Sequence, residues 1–83
     1  MTKEDMVILG RQSGALLMNP AFQQAVGQFR ENLADAFFGS KQDDKEGRER
    51  LYQLRLCLDA VVGNLQSFVL QQQQIELEDD QNV

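Results

Sequence analysis

From Leu51 to Ile75 an apolar residue recurs every three or four positions. Leu51, Leu54, Leu58, Val61, Leu65 and Phe68 form the series, and its register continues through Gln72 to Ile75. Steps of three and four place these residues on one side of an α-helix, and no stretch of the chain sustains the two-residue alternation of a strand. A helix over about 44–73 would be roughly 45 Å long at 1.5 Å per residue. Its apolar side must be covered by another helix or another chain, because 83 residues enclose only one small core. Everything else in the fold has to fit around that requirement.

Asn19-Pro20 marks where the covering helix begins. Proline disfavours helical geometry in the residue before it and suits the first helical turn, while asparagine is a strong cap. Phe22, Val26, Phe29, Leu33, Ala36 and Phe37 then share one face, with Gln23, Gln24, Gln28, Arg30, Glu31 and Asp35 elsewhere. Gly39-Ser40 is a glycine-type helix end. A polar loop follows over 39–46, and Asp43 or Asp44 caps the next helix, with Asp43 and Glu46 at capping-box spacing. Asp44 with Arg48 and Glu46 with Arg50 are spaced to pair along its first turns.

Upstream, Thr2 with Asp5 starts a helix over about 3–18, made ragged by Gly10 and Gly14. Each glycine costs about 1 kcal/mol against alanine in a helix interior. Their four-residue spacing also suits close approach to another helix. The expected fold is all-α: an antiparallel helical hairpin of residues 20–38 and 44–73, preceded by the helix over 3–18 and completed by oligomerisation. The first helix folds back over the far end of the hairpin or extends toward a neighbour. Residues 1–75 form one domain, and 76–83 are expected to be a mobile acidic tail that keeps the chain soluble.

Charge limits the choice of partners. The net charge is −5, and Glu76, Glu78, Asp79 and Asp80 supply four of the thirteen acids. Residues 1–75 therefore carry nine acids against all eight bases, so the body is close to neutral and gives little support to nucleic-acid mimicry. Arg48, Arg50 and Arg55, with Lys41 and Lys45, are interleaved with acids, which describes a solvated helix face better than a nucleic-acid site. No run of residues is long and apolar enough to span a membrane. The first residues, MTKEDMVILGRQSG, lack the apolar core and cleavage site of a signal peptide.

The residue types for catalysis are sparse. The chain has no histidine and one cysteine, Cys57, so neither a disulfide nor a usual zinc-ligand set is expected, and a reducing compartment suits it. Cys57 reads as a small residue beside the apolar stripe. We expect a non-enzymatic protein with no cofactor and no metal. What the sequence has in excess is apolar surface: Tyr52, Leu56 and Leu70 project from a second side of the third helix, about 140° from its main stripe by helical-wheel geometry. Those three residues are the candidate protein-interaction site. The core stripes are Phe22, Val26, Phe29, Leu33 and Phe37 against Leu51, Leu54, Leu58, Val61, Leu65 and Phe68.

LLMNPAFQQAVGQF, followed about thirty residues later by GRERLYQLRLCLDAVVGNLQSFV, resembles small helical-hairpin proteins of tailed-bacteriophage structural and assembly gene clusters. Leu16, Leu17, Asn19, Pro20, Phe22, Arg48, Glu49, Leu51, Leu58 and Leu65 carry the likeness, which spans most of residues 16–70 at the level of pattern. The resemblance implies an accessory protein of phage assembly. It would act by helix–helix contact with itself, a phage structural protein or a host protein, in the bacterial cytoplasm or within the virion. Two other readings stand beside it: a small regulator or inhibitor of a host protein that uses its acidic tail, and an RNA-binding hairpin dimer.

Overall fold

The computed structural model describes residues 1–81. Among them the chain forms three α-helices: α1 over Lys3–Met18, α2 over Pro20–Phe38 and α3 over Lys45–Gln81. None of the described residues lies in a strand, in keeping with the three-and-four spacing. No helix among them is long and apolar enough to cross a membrane.

Local chemistry sets each helix end. Thr2 and Asp5 form a reciprocal capping box, each backbone N–H donating to the other's side-chain oxygen at 3.1 Å. Asn19 alone separates α1 from α2. Its extended backbone ends one helix, and its Oδ1 accepts from the N–H groups of Ala21 and Phe22 at 2.9 and 3.1 Å to start the next. The Gln23 side chain reaches back to the Leu17 carbonyl at 3.0 Å, satisfying one of the open acceptors of α1. Of the two candidate caps for α3, Asp44 is the one used, accepting from the Gly47 N–H at 3.0 Å. Gly39 departs from expectation. It caps α2 with right-handed torsions, and no described residue has a positive φ, so the turn does not need glycine's conformational freedom.

The third helix is also longer than expected. It spans 37 residues, about 55 Å at 1.5 Å per residue, and continues past 73 through most of the acidic stretch. Glutamine is a good helix former. Gln72 donates to Glu76 at 3.0 Å and Gln74 to Glu78 at 3.5 Å, one turn apart. Ile75 faces inward and is among the best-buried apolar residues. Glu76–Gln81 are thus the end of α3, while Asn82 and Val83 of the expected tail lie outside the described residues.

The closest packing is between α1 and the second half of α3. A Cβ placed on Gly10 would lie 2.6 Å from the Phe68 carbonyl oxygen and would overlap the Gln72 side chain. Ser13 is buried one turn on, its hydroxyl donating to the Leu9 carbonyl at 2.7 Å. Gly14 faces Val69. Three small residues at helical spacing thus let two backbones approach, so the glycines favour close contact at the expense of helix propensity. At the end of this contact Arg11 donates to Glu76 at 2.8 Å.

Contacts between α2 and the first half of α3 are looser. Arg30 pairs with Asp59 at 3.1 Å. Arg48 donates to the Ser40 hydroxyl at 2.9 Å and lies 4.9 Å from the centre of the Phe37 ring, in place of the expected pairing with Asp44. The two apolar stripes are correspondingly only partly covered. Leu33 is buried, and Phe22, Val26, Leu51, Leu58, Leu65 and Phe68 are half-buried. Phe29, Phe37, Leu54 and Val61, expected in the core, are exposed. Their stripe positions lack a facing layer, because α2 stands away from α3 where α1 does not. Leu33 and Ile75 are the only large apolar residues among those described that count as buried, each 9% exposed. The described chain is a rod of 61 × 24 × 19 Å with a radius of gyration of 17.7 Å, against about 12 Å for a compact domain of this length.

The small-residue contact generates a test in which two neighbouring glycines respond with opposite sign. Gly10→Ala should destabilise the chain by about 1–3 kcal/mol, because the obstacle is partly backbone. Gly14→Ala, whose Cβ would meet Val69 Cγ2 at an ordinary 3.7 Å, should stabilise it by up to about 1 kcal/mol. Urea unfolding of both variants measures the difference, and equal shifts would contradict the packing.

Candidate functional site

Where α2 and α3 stand apart, an open groove of about 720 Å³ runs between them. Gly27, Leu33, Ala34, Phe37 and Phe38 of α2 line it, with Leu51 and Tyr52 of α3, and Arg30, Glu31 and Arg55 provide its charged groups. Gly27 adds to the opening, because nothing beyond its chain neighbours and its own helix backbone lies within 4 Å of where its Cβ would be. A smaller gap of about 260 Å³, lined in part by Leu17, Phe22, Val26 and Val62, continues the separation toward the Asn19 break.

Each wall is held from outside the groove. Arg48 lies over the Phe37 ring and is itself fixed by Ser40. Phe38 meets Phe37 edge-to-face, ring centres 6.2 Å apart at 82°, a favoured aromatic geometry. Phe38 remains 83% exposed and Tyr52 56% exposed. Asp59 lies between two arginines, 3.1 Å from Arg30 and 3.9 Å from Arg55. These exposed ion pairs add little stability, but they place a polar edge beside an apolar floor. The groove's ionisable lining groups are two arginines, one glutamate and one tyrosine.

The three residues expected to make contact do not form one site. Tyr52 lines the groove. Leu56 and Leu70 are exposed but do not line it, and Leu70 lies on the half of α3 that packs on α1. Phe37, Leu33 and Leu51 were assigned to the core and turn out to line the groove, and Phe38 was not singled out at all. One signal pointed to the last of these: Phe38 follows Leu33, at the middle of the α2 stripe, by five residues, which turns it about 140° away from that face. Cys57 is exposed and does not line the groove. Among the described residues, no group of three or more His, Cys, Asp or Glu side chains is placed to hold a metal ion.

The acidic end is partly committed. Hydrogen bonds from Arg11 and then Gln72 hold the Glu76 carboxyl below its ordinary value of 4.5, while Glu78 accepts from Gln74. Asp79 and Asp80 are exposed on the last turns of α3. No family model matches the chain, and no significantly similar curated protein or solved structure was found.

The Glu76 contact has a pH dependence of known sign. A carboxyl lowered in the folded state favours folding above its unfolded value, and that contribution is lost as pH falls through the lowered value. Carbonyl-carbon NMR titration should find Glu76 below the ordinary value in the native chain and shifted upward in Arg11→Gln. An unchanged midpoint in the variant would remove Arg11 as the cause.

Proposed function

We propose that the protein is a non-catalytic assembly or accessory protein of the tailed-phage type. In this reading it is a helical hairpin that acts by packing its open α2–α3 face against another helical surface, its own or that of a virion component. The observation that carries the reading is the groove bordered by Phe38 and Tyr52 in a chain that has almost no buried core of its own. A folded monomer of this mass has an accessible surface of about 5,000 Å² by the usual scaling; the described chain exposes 6625 Å². The difference is larger than the roughly 800 Å² that each partner contributes to a standard interface. Exposed aromatic residues bordering an apolar groove, as Phe38 and Tyr52 do here, are one common mark of a protein–protein contact.

The phage setting comes from the resemblance of the sequence pattern around Asn19-Pro20 and Arg48–Leu65, and in this reading the protein works in the bacterial cytoplasm or the virion. The groove contributes the chemistry, which suits recognition: apolar floor, aromatic edges and paired charges. The basic residues do not favour an RNA-binding hairpin dimer, since Arg48 is held by Ser40 and Arg55 lies beside Asp59. Glu76 is likewise engaged within the chain by Arg11, which leaves a shorter free acidic stretch for the host-regulator reading.

Capture of virion structural proteins by the tagged chain from phage-producing cells tests this function. Native chain should retain a structural protein, and Phe38→Glu with Tyr52→Glu should lose it at unchanged helix content, since both side chains are already exposed. Retention by the double variant would show that the groove is not the contact surface. A native chain that retains no virion component would overturn the assembly role.

A further inference from the structure

We propose that the groove is occupied by the groove of a second copy of this chain, in a two-fold dimer whose acidic ends point away from each other. This deepens the functional reading above and rests on the same groove. Two features of the chain select this partner and this arrangement.

The first is the distribution of charge along the rod. Arg11 meets Glu76 and Gly10 meets Gln72, so the start of α1 lies beside the end of α3. Glu4 and Asp5 therefore join Glu76, Glu78, Asp79 and Asp80 at one end, against Lys3 and Arg11. This end is strongly acidic, and two copies aligned in parallel would bring like charges together. The groove is different. Arg30 and Arg55 are balanced there by Glu31 and Asp59, so it can meet its own copy without net repulsion. A two-fold contact uses the same patch twice and must be self-complementary. This patch satisfies that condition, because Glu31 of one copy can face an arginine of the other while Phe38 and Tyr52 of each enter the opposite groove.

The second feature is where space remains. The α1–α3 half is drawn together at Gly10, Ser13 and Gly14, and the lining of the larger groove lies outside it, on α2 and the first half of α3. A fully overlapped pair would lay the open half of each copy on the closed, acidic half of the other. A staggered pair, overlapping only through the α2–α3 halves, matches groove to groove and separates the acidic ends. The exposed surface in excess of a compact monomer is ample for the contribution each subunit makes to a standard interface.

Native mass measurement and distances between spin labels test the proposal in the full chain. With Cys57→Ser and a nitroxide on Gln71→Cys, the staggered dimer should give a separation of about 50–55 Å. That value follows from two lengths of α3, each from residue 71 to the groove centre near residue 53, at 1.5 Å per residue. Separations below about 35 Å would indicate full overlap or parallel alignment, for which the axial offset is at most about 24 Å, and would overturn the arrangement. Phe38→Glu and Tyr52→Glu should each raise the dimer Kd at least about tenfold, while Leu70→Glu leaves it unchanged. The opposite ranking would move the interface off the groove. A native chain that stays monomeric up to its solubility limit overturns the self-pairing. If that monomer still retains a virion protein in a Phe38- and Tyr52-dependent way, the assembly function stands without it. A dimer of the expected geometry that retains no virion protein has the reverse meaning.

Discussion

The contact of Gly10 with α3 determines how the rest of the chain is placed. Absence of a side chain there brings the α1 backbone against the Phe68 carbonyl and the Gln72 side chain, and Ser13 and Gly14 extend the contact by a turn. This fixes α1 along the second half of α3. The single extended residue Asn19 then determines where α2 can begin, because its side chain caps the new helix within one residue of the end of the old one. The position of α2 is thus set largely by a contact it does not make. Its own apolar stripe does not close on α3, and the opening between them follows from this placement.

Closing that opening within one chain would require α2 to lie as near α3 as α1 does, and its side chains do not permit it. The α1 face carries two glycines and a serine where the helices meet. The corresponding α2 face carries Phe22, Val26, Phe29, Leu33 and Phe37, whose bulk holds helices farther apart. Large residues at such a distance bury well only when a further layer fills the space between them. The same aromatic residues that make α2 a strong amphipathic helix therefore leave a pair of helices incompletely packed. Leu33 reaches the floor and is covered, while Phe37 and Phe38 form an aromatic edge steadied by Arg48.

Much of the helical framework was legible in the sequence, because it depends on local chemistry. Thr2 with Asp5, Asn19-Pro20 and the Asp43-Asp44 pair each mark a helix start, and each start is found there. The end of α3 was not legible. The helix dipole disfavours acids near a C-terminus, which suits a mobile tail; the Gln72–Glu76 and Gln74–Glu78 hydrogen bonds and the pairing of Glu76 with Arg11, 65 residues away, hold the stretch in the helix instead. The core was legible only as a pattern. A stripe shows which side of a helix faces inward and does not show how near the opposing helix comes, so Leu54 and Val61 were placed inside and are exposed. The candidate site was missed for the same reason. Most of its lining residues looked like core because they are apolar and periodic, and only Tyr52 on α3 and Phe38 on α2, both turned away from the main stripes, signalled a second surface.

In the staggered dimer proposed above, the acidic end of α3 would act through its distance from the groove. An exposed aromatic surface on a rod of this kind risks indiscriminate association, and a chain protects itself by giving unwanted alignments an electrostatic cost. An uncompensated excess of acids beside the groove would weaken wanted and unwanted contacts alike. At the far end of a helix about 55 Å long, well beyond the Debye length of about 8–10 Å at physiological salt, the acids have little effect on what docks at the groove. They act chiefly on alignments that bring two such ends together. The added length of α3 thus matters beyond stability: by holding Glu76 through Gln81 in the helix, it fixes the direction in which that repulsion acts.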